Sequence, residues 1–183
     1  MYYFAYGTEL SFELLQQWAR LAGVTVPRRG RLEPAVLRAH RLSFNHFDPQ
    51  LDTGIANILP EAGKSVHGAL LDLSKRDLDL FDAIYDAPRL GQRRPIVRAD
   101  RRIVSVLPYR SATPVQAVTY QFDVDPAGFA PPSRAYVEKL IEGASLAGVS
   151  MIWLMQLNAL SSFLPREDVV RPSIRREREA LTA

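Results

Sequence analysis

The chain has 183 residues, of which 47% are hydrophobic and 23% charged, as is typical of a single globular domain with one core. It contains no cysteine, which excludes disulfides, thiolate catalysis and thiolate metal ligands and fits a reducing cytoplasm. The net charge of +3 comes from arginines in small scattered groups rather than a basic stripe, so we expect no nucleic-acid partner. No apolar run approaches the roughly 20 residues of a membrane span, and no signal-peptide pattern is seen. We therefore expect a cytoplasmic protein with no membrane partner.

The chain opens with a pattern that predicts a strand, a loop and a helix. Residues 2–5 are aromatic or small apolar residues, a glycine-centred loop follows, and Ser11 caps a helical pattern that ends at Gly23. The loop consists of Tyr6, Gly7, Thr8, Glu9 and Leu10. A buried strand that leads through such a loop into a helix N-terminus presents free backbone N–H groups. We therefore expect this loop to hold an anion or a carbonyl group.

Three strand patterns follow. They cover residues 35–45, 54–60 and 65–73, and Gly63 predicts a turn between the last two. Asn45 closes the first of these strands, where the residues themselves make it a candidate for capping the turn into residues 46–49.

A helix is predicted from Ser74, which has the spacing of a capping box, to about Tyr85. One face of this helix carries Leu78, Phe81, Asp82 and Tyr85. Because the two apolar residues turn that face towards the core, Asp82 and Tyr85 are expected to point inward or at a cavity wall. A carboxylate there needs a partner or a shifted pKa.

Three more strands are predicted after Pro88, over residues 93–99, 103–109 and 115–122, with a turn at Asp100-Arg101 in the first hairpin. Pro95 and Pro108 are typical of edge strands or bulges.

Two helices and a charged tail complete the prediction. Pro132-Ser133 begins a helix that turns Tyr136, Leu140, Ile141 and Ala144 inward. Residues 151–160 are apolar nearly all round, which predicts a buried helix. The tail, residues 165–183, is charged and predicted to be a solvated helix, with binding of a partner or of nucleic acid as the alternative. The predicted organisation is one domain over residues 1–164 followed by this tail.

Several of these segments resemble, in order, the motifs of the γ-glutamylcyclotransferase-like (AIG2-like) superfamily. The matching segments are residues 4–10 (Phe-Ala-Tyr-Gly-Thr-Glu-Leu), 41–45 (Arg-Leu-Ser-Phe-Asn), 56–60, 66–73, 117–120 and 132–144. The resemblance covers roughly residues 2–148. It implies an α+β fold, a small mixed β-barrel with flanking helices and a cavity between the opening loop and the barrel wall.

The resemblance also implies a reaction. Enzymes of this family cleave a γ-glutamyl amide by attack of the substrate's α-amine on its own γ-carbonyl, which releases 5-oxoproline and an amine. The implied partner is a small-molecule substrate, and no cofactor is required. The implied substrate-binding residues are the loop residues 6–10 with Asn45, Tyr120 and Tyr136. His40, His46 and His67 lack metal-ligand spacing, so no metal site is expected.

The catalytic residue is where the chain departs from the family. The family's proton shuttle is a Glu at the end of the helix, in an L-D-x-x-E-G pattern, and the corresponding position here is Tyr85. A tyrosine with an ordinary pKa near 10 is a poor base at neutral pH. Three carboxylates can compensate, namely Glu9 in the opening loop, Asp82 one turn back and Asp86 one residue on.

Three hypotheses follow. The first is a γ-glutamylcyclotransferase-like enzyme with a rearranged acid/base residue. The second is different chemistry on a small amino-acid-derived substrate, with Tyr85 as acid or oxyanion donor together with Glu9. The third is a non-catalytic binding module that keeps the anion-holding loop. The assembly is expected to be a monomer or a homodimer.

Overall fold

The computed structural model describes residues 1–28, 30–86 and 99–165, which form a closed β-barrel of five strands with helices packed around it. The strands are β1 (Tyr2–Ala5), β2 (Glu33–Asp48), β3 (Thr53–Asp72), β4 (Ala99–Pro108) and β5 (Val115–Phe122). Their order round the barrel is β1-β3-β2-β4-β5, with β1 antiparallel to β3 and parallel to β5. The predicted α+β class and small mixed barrel are confirmed.

Strand β1 is the most deeply buried strand. Tyr3, Phe4 and Ala5 have no exposed surface, because β1 is hydrogen-bonded between two strands and covered on its faces by the core. An uninterrupted apolar run is what such a strand requires. The chain therefore leaves β1 inside the molecule, and the loop that follows starts there.

The predicted turn at Gly63 is wrong. Both predicted strands belong to the single strand β3, and both halves pair with β2. Gly63 has a φ of +79° and lies in a bulge, because residues 61–64 lie between the pairs Arg38–Ser65 and His40–Pro60. The glycine marks a bend of the strand rather than a reversal of the chain.

The predicted turn at Asp100-Arg101 is also wrong. Asp100 and Arg101 lie inside β4, where they pair with Gln121 and Tyr120 of β5. The β4–β5 turn follows Pro108 instead, where Ser111 donates its N–H to the Pro108 carbonyl. Strand β5 has the predicted bounds. The strand predicted over 93–99 falls outside the described residues except for Ala99, and so does the tail beyond Pro165.

The four described helices start where the sequence predicts them. They are α1 (Phe12–Leu21), α2 (Lys75–Asp86), α3 (Arg134–Leu146) and α4 (Met151–Phe163). Ser11 and Ser133 accept N–H groups at the first turns of α1 and α3, and the Ser74 and Asp77 pair forms the predicted capping interaction at α2. None of the described helices is long and apolar enough to cross a membrane.

Helix α4 differs from the prediction of a buried helix. Within the described residues, α4 packs against the rest of the protein through the side that carries Trp153, Leu157 and Ser161. On the other side Ile152 is 72% exposed and Phe163 is 86% exposed. Composition alone cannot separate a helix buried all round from one whose apolar outer face has no neighbour, which is why the sequence misled here.

Candidate active site

The opening loop forms a short 3₁₀ turn, Thr8–Leu10, between β1 and α1. Helix α3 fixes the turn from outside, because a Cβ atom on Gly143 would lie 2.4 Å from the Leu10 carbonyl oxygen. Only glycine allows this approach of helix to loop. The Leu10 side chain packs into the core.

Glu9 places its carboxylate at the centre of a buried cluster. Tyr3 Oη donates to Glu9 Oε1 at 2.9 Å, and Tyr85 Oη donates to Glu9 Oε2 at 3.3 Å. The backbone N–H of Tyr6 lies 3.4 Å from Oε1. Glu9 is 2% exposed, and burial raises the pKa of its carboxyl above the ordinary value although these hydrogen bonds oppose the shift.

Tyr85 reaches the same cluster from α2. Its ring stacks on Tyr120 of β5 with centroids 4.1 Å apart, and Trp18 of α1 meets it edge-on at 5.4 Å. Burial, and next the neighbouring Glu9 carboxylate, raise the pKa of Tyr85 well above its ordinary value. Tyr85 is therefore a neutral phenol that donates a hydrogen bond to the Glu9 carboxyl beside it.

Asp82 is bonded to the other ring of the tyrosine stack, Tyr120, and is held in a different way. Its carboxylate accepts hydrogen bonds from Tyr120 Oη and from the Arg101 guanidinium, and its side chain is 35% exposed. Burial alone would raise the pKa of Asp82, but the bonds from Arg101 and Tyr120 outweigh burial and hold the pKa below its ordinary value. Asp86 ends α2 on the exposed surface. Of the three carboxylates considered, Glu9 alone is buried.

The remaining loop residues make contacts that tie β1, β3, β5 and α3 together. Tyr6 Oη donates to the Tyr120 carbonyl at 2.6 Å, so the two predicted site tyrosines meet. Tyr136 Oη accepts the Ala56 N–H at 3.0 Å and lies 3.1 Å from Thr8 Oγ1. These bonds position the loop against the barrel wall.

Two adjacent backbone N–H groups of the loop have no acceptor among the described residues. Leu10 and Ser11 donate their N–H groups to the Gly7 and Thr8 carbonyls, whereas the N–H groups of Gly7 and Thr8 donate to no acceptor in residues 1–28, 30–86 and 99–165. Both residues are buried. Neighbouring unpaired N–H groups are suited to a carboxylate or carbonyl oxygen.

Asn45 belongs to a separate buried polar group. Its Oδ1 accepts a hydrogen bond from Asn57 Nδ2 at 3.0 Å, and its Nδ2 donates to the Asp125 carbonyl at 3.1 Å. Asn57 in turn accepts the Phe122 N–H. The alternative that Asn45 caps a turn is wrong, because β2 continues to Asp48.

Sequence analysis missed Tyr3, which donates the shorter of the two tyrosine bonds to Glu9. A signal existed, because a tyrosine in an otherwise apolar buried strand needs a partner for its hydroxyl. No group of three or more histidine, aspartate or glutamate side chains that could hold a metal exists in the described part of the chain.

A closed five-stranded barrel with a buried loop between β1 and α1 defines the class of fold as γ-glutamylcyclotransferase-like, and comparison with solved structures agrees. A structure titled γ-glutamyl cyclotransferase superimposes with a TM-score of 0.64 at 20% identity, over 93% of this chain and 90% of that one. An uncharacterised protein from Homo sapiens superimposes with a TM-score of 0.66 at 21% identity, over the same shares of the two chains. Likeness at this identity establishes the fold alone. No family model and no curated protein matches the sequence.

Proposed function

We propose that this protein is a γ-glutamylcyclotransferase-like enzyme that cleaves a γ-glutamyl amide of a small molecule to 5-oxoproline and a free amine, with Glu9 as its acid/base residue. One observation carries the proposal. Tyr85 holds the position at which the resemblance expects the catalytic Glu, and its hydroxyl donates to a carboxylate supplied instead by the opening loop. The carboxyl that the reaction needs is thus supplied by the loop between β1 and α1 rather than by helix α2.

The chemistry requires a group that both accepts and donates protons. The α-amino nitrogen forms a bond to the γ-carbonyl carbon, and the amide C–N bond breaks. Over the whole reaction the α-ammonium loses two protons and the leaving amine nitrogen gains two. A carboxyl with a raised pKa can carry these protons in turn, which a tyrosine held neutral cannot do.

The loop backbone supplies the second requirement. Charge builds on the γ-carbonyl oxygen as the amine attacks, and two preorganised N–H donors stabilise that charge without reorganising. Gly7 and Thr8 offer this pair beside Glu9. The tyrosine hydroxyls of Tyr3 and Tyr85 orient the carboxylate, and the stacked rings keep bulk water away from it.

The direct test is release of 5-oxoproline from a panel of γ-glutamyl dipeptides and γ-glutamyl amines, measured by mass spectrometry. We expect product from at least one γ-glutamyl compound and none from its α-glutamyl isomer, in which the amine cannot reach the carbonyl through a five-membered ring. Glu9→Gln, shown to be folded by circular dichroism, serves as the inactive control. Absence of product from every substrate with folded wild-type protein would refute the enzyme.

A second candidate, a non-catalytic module that binds a small anionic ligand, is favoured by the closure of the site. Tyr6, Thr8, Glu9 and Tyr85 are each no more than 5% exposed. Thermal shift with the same panel distinguishes the two candidates. A compound that raises the melting temperature and is recovered unchanged indicates a binding module, whereas turnover indicates the enzyme.

A further inference from the structure

Strands β3 and β5 come close together without pairing along their backbones. Strand β1 lies between them and pairs with both, but it ends at Ala5, where the opening loop begins. In the described part of the chain no strand pairing joins β3 directly to β5. Beyond the end of β1, the two strands are therefore held together by side chains.

The side chain of Asn57 on β3 makes this connection. Its Oδ1 accepts the Phe122 N–H at 3.0 Å, and its Nδ2 donates to the Phe122 carbonyl at 3.1 Å, so the two bonds form an amide bridge between β3 and β5. Oδ1 also accepts the Ile58 N–H at 2.9 Å, and Nδ2 also donates to Asn45 Oδ1 at 3.0 Å. Asn57 has no exposed surface and uses both donors and both acceptors of its amide. A buried polar network with every group satisfied fixes a single arrangement of its members.

The opening loop is held between the same two strands. On β3, Ala56 lies so close to the loop that a Cβ atom on Gly7 would be 3.3 Å from the Ala56 Cβ atom. On β5, the Tyr120 carbonyl accepts a hydrogen bond from Tyr6 Oη at 2.6 Å. Both contacts lie within two residues of the amide bridge along the chain. The separation of the two strands therefore determines where the loop lies, together with the N–H groups of Gly7 and Thr8.

Strand β5 also supports the ring of Tyr85. This ring packs against Tyr120 with centroids 4.1 Å apart and against Phe122 at 5.9 Å. The Tyr85 hydroxyl in turn donates to Glu9 Oε2. Because Asn57 binds the backbone of Phe122, a shift of β5 away from β3 would move the Tyr85 hydroxyl relative to Glu9.

We propose that Asn57 is a positioning residue of the active site, whose amide bridge sets the distance between the two strands that hold the opening loop. The role rests on the proposed function, in which that loop and Glu9 carry the reaction. Asn57 acts through its neighbours, because all four of its hydrogen bonds are made to residues outside the loop. The role is specific to asparagine, since a leucine of similar size has no polar group and a serine hydroxyl reaches less far than the amide.

The first test measures kcat for 5-oxoproline release at a temperature at which circular dichroism shows each protein to be folded. Asn57→Leu removes the amide bridge, and we expect kcat to fall about 10–100-fold, as is typical when reacting groups are misplaced by about 1 Å. Asn57→Ser places a smaller side chain at the same position and is expected to show the same loss. It takes the place of the leucine variant if that chain does not fold.

Thr119→Val is the matched control. Thr119 lies on β5, has no exposed surface and donates its Oγ1 hydroxyl to the Phe4 carbonyl at 2.8 Å. The valine therefore removes a buried hydrogen bond from the same strand while the amide bridge stays in place. We expect its denaturation midpoint to fall and its kcat to stay within about threefold of the wild type. A merely structural role for Asn57 would give the same result in the Asn57 variants.

The second test does not depend on turnover. It follows the Glu9 carboxyl carbon by nuclear magnetic resonance during a pH titration. Burial is the largest cause of the raised pKa of Glu9, so a gap between β3 and β5 that admits water should bring this pKa down towards the ordinary value of about 4. We expect this fall in Asn57→Leu and in Asn57→Ser, and no change in Thr119→Val.

Two outcomes would overturn the proposal. One is a folded Asn57→Leu or Asn57→Ser protein that keeps both the kcat and the Glu9 titration of the wild type. The other is a Thr119→Val protein that shows the same losses, because any bond lost from β5 would then have the effect. A wild type that releases no 5-oxoproline refutes the enzyme instead, and the titration alone then shows whether Asn57 fixes the loop.

Discussion

Two carboxylates, Glu9 and Asp82, accept hydrogen bonds from the hydroxyls of the stacked rings of Tyr85 and Tyr120, respectively. Glu9 is buried and held by neutral tyrosine hydroxyls, so its pKa is raised. Asp82 is partly exposed and paired with the Arg101 guanidinium, and its pKa is lowered. The same functional group thus has its pKa shifted in opposite directions in the two places, because its surroundings differ.

Each of the two stacked tyrosines donates its hydroxyl hydrogen bond to a different carboxylate. The Tyr85 hydroxyl donates to Glu9, whereas the Tyr120 hydroxyl donates to Asp82. A substitution on one side can therefore be matched by an equivalent substitution on the other. Each prediction below uses such a pair where the chain offers one.

The largest expected effect is on turnover. Glu9→Gln keeps the size of the side chain and its ability to accept a hydrogen bond but cannot carry a proton, so we expect kcat for 5-oxoproline release to fall about 10²–10⁴-fold. Asp82→Asn, the matched change across the stack, should leave kcat within about threefold, since that partly exposed ion pair lies outside the cluster. Equal losses in the two variants would contradict the assignment of roles.

The next largest effect comes from the backbone that supports Glu9. Gly143→Ala forces a methyl group against the Leu10 carbonyl, so α3 or the 3₁₀ turn must shift. We expect a loss of about 2–3 kcal/mol in the free energy of unfolding, measured by urea denaturation, together with a reduced kcat. Ser145→Ala, an exposed position on the same helix, is the control and should be neutral. An unchanged midpoint for Gly143→Ala would mean that the loop is not held by this contact.

A smaller effect is expected from the hydroxyl that orients Glu9. Tyr85→Phe removes one of the hydrogen bonds that lower the pKa of Glu9, so the pKa should rise further. The acid limb of the kcat/KM profile should move to higher pH, with a loss of up to ~10-fold at neutral pH. Tyr120→Phe removes the bond to Asp82 instead and should leave the limb where it is. A limb that moves in both variants or in neither would rule out Glu9 as the titrating group.

Much of the fold follows from local sequence signals. The serine caps of α1 and α3 and the strand pattern of β5 are confirmed, because each depends on residues that lie next to one another in the chain. The predictions of turns at Gly63 and Asp100-Arg101 were wrong because a glycine also fits a bulge, and a polar pair also fits positions inside a strand. Only the pairing partner distinguishes these possibilities, and the partner is distant in sequence.

The candidate site, too, combines features that neighbouring residues predict with contacts between residues distant in sequence. The loop could be found from its own residues, and Glu9 was named because it stands inside that loop. The contact of Glu9 with Tyr85 spans 76 positions, and that of Gly143 with Leu10 joins helix to loop. Sequence patterns gave Asp82 and Tyr85 the same helix face, yet Tyr85 donates to the buried Glu9 whereas Asp82 accepts hydrogen bonds from Arg101 and Tyr120. A difference of one helical turn decides which neighbours each side chain meets.

The smallest expected effect is a difference in the pH dependence of stability. The folded pKa of Glu9 is raised, so its contribution to stability is fully present below its unfolded pKa and is lost as pH rises through the folded pKa. The folded pKa of Asp82 is lowered, so its contribution is present above the unfolded pKa and is lost as pH falls through the folded pKa. Relative to the wild type, Glu9→Gln should therefore gain stability as pH rises above the ordinary glutamate pKa of about 4, since the mutant escapes the cost of burying a charge. Asp82→Asn should lose relative stability as pH rises towards about 4, and by less, because solvent screens the partly exposed pair with Arg101.

Urea denaturation of the three proteins across this pH range measures both differences, and a shift of ~1 kcal/mol corresponds to about 2–4 °C in Tm. Curves for the two variants that run parallel would mean that the two carboxyls share one environment, which their different partners and burial do not allow.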